Sequence, residues 1–217
     1  MNVEQARYFM IEQQIRPWNV SDSHVLELLG AVKREDYLPA ALKPLAFADM
    51  ELPLPGGRSL LAPKIEARLV QEAKVQRHEK VLQLGVGTGY ITALLAHRAQ
   101  QVIAIDPDAD LVGTVRANLQ KAGIVNAEVR EASCTAGAEA DAPFDLILLT
   151  GSVAQVPSAL LAQLKVGGRL VAIVGSEPMM YATVVTRKAD NQYDTVQRFD
   201  TVAQRLPGFT EPSTFQF

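Results

Sequence analysis

Three glycines at alternate positions, Gly85, Gly87 and Gly89, separate a short apolar run from the start of a helical pattern. Glycine accepts positive φ angles and lets a ligand approach the backbone closely. The first turn of a helix also carries unpaired N–H groups that can bind a ligand. Asp106 ends the next apolar run, about 20 residues beyond the first glycine, where a carboxylate can accept both hydroxyls of a ribose. The pattern predicts a nucleoside site at the carboxyl ends of two parallel strands.

The spacing of the glycines bears on which nucleoside is bound. A dinucleotide fingerprint has a third glycine three residues after the second, and this chain has Tyr90 there. The observed G-x-G-x-G spacing is typical of S-adenosylmethionine methyltransferases. Two other interpretations stay open. The glycines could serve only close strand–helix packing while Asp106 caps a helix, or the site could hold a nicotinamide dinucleotide, against which Tyr90 argues.

Strands and helices alternate around this turn, and the strands are continuously apolar. That combination predicts a parallel sheet covered on both faces. A final pair of alternating segments, separated by Asp190 and Asn191, predicts an antiparallel hairpin. The expected strands are 80–84, 101–105, 127–130, 144–150, 169–174, 181–188 and 195–202, and the expected helices are 90–97, 109–122 and 157–164.

The first 75 residues have a different character, because they read mainly as helix and loop. Pro17 is expected to end a first helix, and Ser21 or Asp22 to cap a second. Frequent proline and glycine predict that residues 38–59 are mainly loop, after which Pro63 opens another helix.

The composition excludes several classes of protein. The chain has 217 residues, of which 48% are hydrophobic and 21% charged, and a net charge of −3. This charge does not suggest a nucleic-acid or membrane binder. A single cysteine, Cys134, and three scattered histidines suggest neither a disulfide nor a metal site. The polar amino-terminal segment and the lack of a long apolar run favour a cytoplasmic location. The oligomeric state is left open.

Several motifs in the same order resemble those of the protein-L-isoaspartate O-methyltransferases. They cover most of the chain and include the glycine-rich turn. The resemblance implies a doubly wound, mostly parallel seven-stranded α/β sheet of the Rossmann-like methyltransferase type. A helical extension with the substrate loop would occupy residues 1–75, and a cofactor-binding core ending in a hairpin would occupy residues 76–217. The other motifs are residues 10–16, 32–39, 46–49, 52–57, 144–147, 163–164 and 167–171.

The family's chemistry transfers a methyl group from S-adenosylmethionine to an abnormal carboxylate in damaged protein, so the implied partner is a protein or peptide carboxylate. A carboxylate is already ionised at neutral pH, and the reaction needs no general base. The site must instead align the nucleophile with the methyl group and exclude water. Gly85, Gly87, Gly89 and Asp106 would hold the cofactor.

The substrate loop departs from the family's usual pattern. Relatives typically carry Thr-Ile-Ser-Gln-Pro, whose serine is their proposed catalytic hydroxyl, whereas this chain reads Ser59-Leu60-Leu61-Ala62-Pro63. Leu61 thus replaces the serine, and leucine cannot donate a hydrogen bond. Ser59 is the nearest hydroxyl and would share a face with residue 61 along a strand. Gly57, Arg58 and Ser59 are the candidate substrate-binding residues, although a plain loop serine and a solvated arginine are the simpler readings.

Two further departures concern the cofactor side. The usual Gly-Asp-Gly after the third core strand is replaced by Ala132-Ser133-Cys134, so that Ser133 would contact the adenine. Thr150 ends the fourth core strand, at a position suited to the site, unless it only caps the following loop. These changes leave two alternatives. The acceptor could be another carboxylate or a small molecule, or the chain could be a non-catalytic module that binds the cofactor.

Overall fold

The computed structural model describes residues 2–209. Its main sheet has seven strands in the order β5-β4-β3-β6-β7-β8-β9, and the first five of these are parallel to one another. β8 and β9 run antiparallel and form the terminal hairpin. The predicted fold class is therefore confirmed. The strands are β3 Lys80–Leu84, β4 Gln101–Asp106, β5 Ala127–Glu131, β6 Phe144–Val153, β7 Leu164–Ser176, β8 Met179–Ala189 and β9 Gln192–Asp200.

Helices cover the two faces of the sheet unequally. One face packs against α3, α4 and α5, and the amino-terminal segment joins the same core. The other face carries the short α6, the segment after β5 and the region around Leu206. Alternation along β3 explains the division, since Val81 belongs to the first core and Leu82 and Leu84 to the second. The helices are α1 Val3–Phe9, α2 Ser23–Ala31, α3 Pro63–Ala73, α4 Tyr90–Ala96, α5 Ala109–Lys121 and α6 Ser158–Leu161.

The amino-terminal helices follow the predicted capping signals. Asp22 caps α2 by accepting hydrogen bonds from the N–H groups of His24 and Val25. Pro63 occupies the first turn of α3, as expected. The first helix runs on from α1 through a wide π-helical segment and a tight turn that contains Pro17. No helix among residues 2–209 is both long and apolar enough to cross a membrane.

Three local expectations need correction. Residues 38–59 contain a small antiparallel hairpin, β1 Leu52–Leu54 and β2 Arg58–Leu60, because Leu52, Leu54 and Leu60 form a separate apolar core with Leu38. The helix predicted at 157–164 is only α6. β7 begins earlier than predicted, and its irregular pairing with β6 accommodates the glycines before Arg169. The last eight residues of the predicted second unit, 210–217, lie outside the described residues.

Candidate active site

The glycine-rich turn connects β3 to α4 at the carboxyl end of the sheet. All three glycines have positive φ: +83° at Gly85, +52° at Gly87 and +89° at Gly89. A Cβ atom at Gly89 would lie 2.8 Å from Cγ1 of Val115 in α5, so this glycine serves helix packing. A Cβ atom at Gly87 would lie 3.0 Å from Cδ1 of Leu60, so this glycine faces the β1–β2 hairpin. A Cβ atom at Gly85 would lie 2.7 Å from Cδ2 of Leu206 and 2.9 Å from Oγ1 of Thr150, so each glycine lets the turn pack closely against a different neighbour.

Asp106 ends β4 beside this turn, and its side chain is fully buried. The main-chain N–H of Val86 donates to Oδ2 at 3.0 Å, and that of Asp108 donates to Oδ1 at 3.1 Å. The same two oxygens accept hydrogen bonds from the two terminal nitrogens of Arg58, each at 3.0 Å. Each carboxylate oxygen therefore accepts two hydrogen bonds, which use its lone pairs and leave none for a ribose hydroxyl.

The hairpin β1–β2 brings Arg58 to this position. Arg58 and Leu60 belong to β2, and Leu60 contacts the turn at Gly87. Gln204, far along the chain, holds the hairpin from the opposite side. Its Oε1 accepts the N–H of Ser59 at 2.7 Å, and its Nε2 donates to the carbonyl of Gly57. The substrate loop thus lies closed over the glycine-rich turn.

The remaining predicted site residues fall into two groups. Ser59 lines the cavity beneath the hairpin, and its Oγ donates to Glu51 Oε2 at 2.7 Å. Thr150 lines the same cavity, and its hydroxyl donates to the carbonyls of Gly85 and Leu84. Gly57 lies in the hairpin turn with open space around it. Ser133 is exposed, pairs with Thr135 through the two hydroxyls, and lies apart from the cavity.

The cavity is small, about 20 Å³, which is room for a single water molecule. Three polar residues that were not among the predicted site residues line it: Glu66, Gln83 and Tyr90. Within the described part of the chain, Glu66 Oε1, Gln83 Oε1 and the Tyr90 hydroxyl are buried without a hydrogen-bond partner. Such atoms are costly unless a ligand or water satisfies them, and these three form the polar floor of the cavity.

Glu66 forms an ion pair with Arg34, and both side chains are fully buried. Arg34 Nε donates to Glu66 Oε2 at 2.8 Å, while its terminal nitrogens donate to the carbonyls of Ala46 and Leu61. Burial raises the pKa of the Glu66 carboxyl, and the nearby Arg34 charge opposes that shift. A sequence signal existed, because Glu66 interrupts the apolar stripe of α3 formed by Ile65, Leu69 and its neighbours.

The polar groups at this edge of the sheet suit a nucleoside cofactor, but Arg58 at Asp106 and Leu206 beside Gly85 take up part of the space that it needs. The buried carboxylate of Asp106, next to the N–H of Val86, offers acceptors for a ribose diol, and the unpartnered atoms of Gln83 and Tyr90 offer polar contacts nearby. Arg58 must leave Asp106 before the diol can bind, because each carboxylate oxygen already accepts two hydrogen bonds. Asp106 is thus a candidate cofactor ligand whose oxygens are shared with Arg58. Among residues 2–209, no cluster of three or more His, Cys, Asp or Glu side chains is arranged for a metal ion.

Comparison with known proteins gives a consistent result. The family model "Protein-L-isoaspartate(D-aspartate) O-methyltransferase (PCMT)" matches residues 5–203. A protein-L-isoaspartate O-methyltransferase of Koribacter versatilis is 39% identical over 179 residues, which span 82% of this chain and 80% of the relative. A second relative of that description, from Marinobacter nauticus, is 34% identical over 194 residues and 89% of both chains.

Solved structures agree at the level of the fold. A protein-L-isoaspartate O-methyltransferase structure superposes with a TM-score of 0.80 at 21% identity, and the match covers 95% of this chain and 66% of that one. A Plasmodium falciparum protein described as a beta-aspartate methyltransferase, in complex with S-adenosyl-L-homocysteine, gives 0.77 at 18% identity over 95% and 98% of the two chains.

Proposed function

The chain belongs to the protein-L-isoaspartate(D-aspartate) O-methyltransferase family, and from this membership we propose how its own residues divide the work. The protein is an S-adenosylmethionine-dependent methyltransferase of isoaspartyl sites in proteins. In our proposal, residues 76–217 form the cofactor-binding core, and residues 1–75 supply the substrate loop. The predictions of a cytoplasmic location and of no nucleic-acid or membrane partner stay predictions.

Asp106 carries the proposed cofactor site. Its two oxygens would accept the ribose hydroxyls once Arg58 has moved, while the N–H groups of Val86 and Asp108 keep the carboxylate oriented. Gly85, Gly87 and Gly89 would let the cofactor lie against the backbone of the turn. This proposal is supported by the burial of Asp106 and by its direct hydrogen bond to the turn.

Ser133 and Thr150 have lesser proposed roles on the cofactor side. Ser133 follows β5, whose Glu131 pairs with Asp106 across the sheet, so its hydroxyl would contact an adenine edge at the rim. Thr150 already donates to the carbonyl of Gly85 and acts as a positioning residue that fixes the shape of the turn.

The acceptor carboxylate would enter beneath the hairpin, next to Gly57, Arg58 and Ser59. The cofactor, once bound, would supply a methyl group on a sulfonium sulfur for transfer to an acceptor oxygen, and S-adenosylhomocysteine would leave with the electron pair of the broken carbon–sulfur bond. The protein's task is to align the two reactants and keep the pocket dry. Leu60 and Leu61 are buried at this position and suit the exclusion of water.

Ser59 is the proposed catalytic hydroxyl in place of the usual loop serine. Its Oγ donates to Glu51 and would turn toward the acceptor on binding. Leu61, at the place of the usual serine, is buried and offers no donor. The same substitution favours one alternative, an acceptor carboxylate of another kind or a small-molecule acid.

Radiolabelled methyl transfer to an isoaspartyl peptide, with the matching aspartyl peptide as control, tests the activity. We expect base-labile methyl ester on the isoaspartyl peptide alone. Ser59→Ala should lower kcat by about tenfold or more, consistent with the loss of one transition-state hydrogen bond. Leu61→Ala serves as the control for loop packing. Labelling of other acids but not of the isoaspartyl peptide would establish the alternative, and binding without turnover on any acceptor would indicate a non-catalytic module.

A further inference from the structure

The salt bridge between Arg58 and Asp106 places a substrate-loop side chain on the cofactor's anchor. The two groups are 48 residues apart in sequence, and they form a two-pronged pair with both nitrogen–oxygen distances at 3.0 Å. The Asp106 side chain is fully buried, and that of Arg58 is 16% exposed. An arginine fork on a planar carboxylate is among the strongest and most directional of ion pairs.

This pair satisfies Asp106 in a way that excludes a second ligand. Each oxygen accepts one main-chain N–H and one Arg58 nitrogen. A diol placed there would have to displace the guanidinium. The displacement would leave Arg58 without its carboxylate partner, at the mouth of the cavity that it lines.

This inference rests on the proposed function: we infer that Arg58 exchanges one carboxylate partner for another as the two substrates bind. It holds Asp106 in the cofactor-free enzyme, yields that carboxylate to the ribose diol, and then pairs with the acceptor's carboxylate. Cofactor binding therefore frees Arg58 for the acceptor, and the two substrates bind cooperatively.

The hairpin can permit this exchange without unfolding. Gln204 holds the backbone of Gly57 and Ser59, and Arg34 holds the carbonyl of Leu61, so the hairpin backbone can stay in place while the Arg58 side chain swings. The exchange also makes the two affinities mutually dependent. If the cofactor releases Arg58 and so raises the affinity for the acceptor carboxylate, the acceptor must raise the affinity for the cofactor by the same factor.

The test compares Arg58→Gln with a matched control, Arg169→Gln. Arg169 forms the same kind of fork on the buried Glu79, at 2.8 and 2.9 Å, with side chains 15% and 8% exposed. That pair lies at the amino end of β3, opposite the site. Calorimetry with S-adenosylhomocysteine needs no acceptor, so its outcome is independent of the proposed substrate.

We expect Arg58→Gln to bind S-adenosylhomocysteine about tenfold more tightly than the wild type, as for a competitor that occupies the site about 90% of the time. Arg169→Gln should bind it as the wild type does. Unchanged or weaker binding by Arg58→Gln would overturn the inference, because Arg58 would then be no competitor for Asp106.

The second measurement is the affinity of a fluorescent isoaspartyl peptide with and without saturating S-adenosylhomocysteine. We expect the wild type to bind the peptide at least about tenfold more tightly with it, and Arg58→Gln to show no such difference. Equal peptide affinity in both conditions would refute the transfer of Arg58 to the acceptor. If the peptide binds under neither condition while the calorimetric result holds, the proposed acceptor is wrong and the competition at Asp106 stands.

Discussion

Replacing Arg34 with methionine should reveal how the buried floor of the site is held. The substitution leaves the Glu66 carboxylate fully buried without its counter-ion, because both side chains are inaccessible to solvent. Breaking a buried ion pair from one side costs about 3–5 kcal/mol. The carbonyls of Ala46 and Leu61 also lose their donors, at about 1 kcal/mol each.

The expected loss for Arg34→Met is therefore about 5–7 kcal/mol of unfolding free energy, a large share of the ~5–15 kcal/mol typical of a native domain. Urea denaturation followed by circular dichroism measures it. Adding Glu66→Leu should recover about 3 kcal/mol, since the stranded charge disappears while the two carbonyls stay unpaired. Arg130→Met is the control, because that arginine also forms ion pairs, with two carboxylates, but is one-third exposed, and it should cost about 1 kcal/mol or less.

The pH dependence gives a second check on the same charge. Burial raises the folded-state pKa of Glu66, so its protonated form favours folding. The stability that this group contributes is present below its unfolded pKa of about 4.5 and is lost as the pH rises through the folded value. Without Arg34 the shift should grow, and the deficit of Arg34→Met should be smaller at pH 5 than at pH 8. If Arg34→Met cost no more than Arg130→Met at both pH values, the burial argument would be wrong.

Three further predictions concern the glycine-rich turn and its surroundings. Gly89→Ala should cost about 1–3 kcal/mol in urea denaturation, because φ is +89° and the new methyl would lie 2.8 Å from Val115; Val115→Ala should restore part of it. Asp106→Asn should weaken S-adenosylhomocysteine binding by about tenfold or more in calorimetry, since a charged acceptor is lost; unchanged affinity would remove Asp106 from the site. Burial, with help from the Asp106 charge, raises the pKa of Cys134 to about 11, so the native thiol should resist iodoacetamide at pH 8, and its contribution to stability should fall from about pH 9 toward pH 11.

The sequence predicts the parts of this fold that local patterns encode. β3, α4 and α5 match their expected bounds within a residue, because continuous apolar runs and glycine or aspartate punctuation mark them directly. The β1–β2 hairpin was missed because prolines and glycines obscure its alternation, and because its stability depends on Leu38 and Ala46 from elsewhere in the chain.

The candidate site, too, could be predicted only in part. The turn and Asp106 could be read from spacing alone, whereas both arginine–carboxylate pairs join residues far apart in sequence. Arg34 and Glu66 are 32 positions apart, and Arg58 and Asp106 are 48 apart. Charges of this kind look like ordinary surface residues in a sequence, and only the tertiary contact removes them from water.

The two pairs also differ in what they leave unsatisfied, and this difference assigns them different roles. Arg34 donates to Glu66 and to two carbonyls, so removing it leaves three groups buried without that donor and nothing in the reaction to replace it. Arg58 donates to Asp106 alone, and Asp106 keeps two main-chain donors when Arg58 departs. The first pair is therefore fixed structure beneath the hairpin, and the second is a contact whose place on Asp106 a diol can take. The loop is held in place at Leu61, just after the hairpin, and can release Asp106 at Arg58. It therefore covers the pocket while still admitting the cofactor.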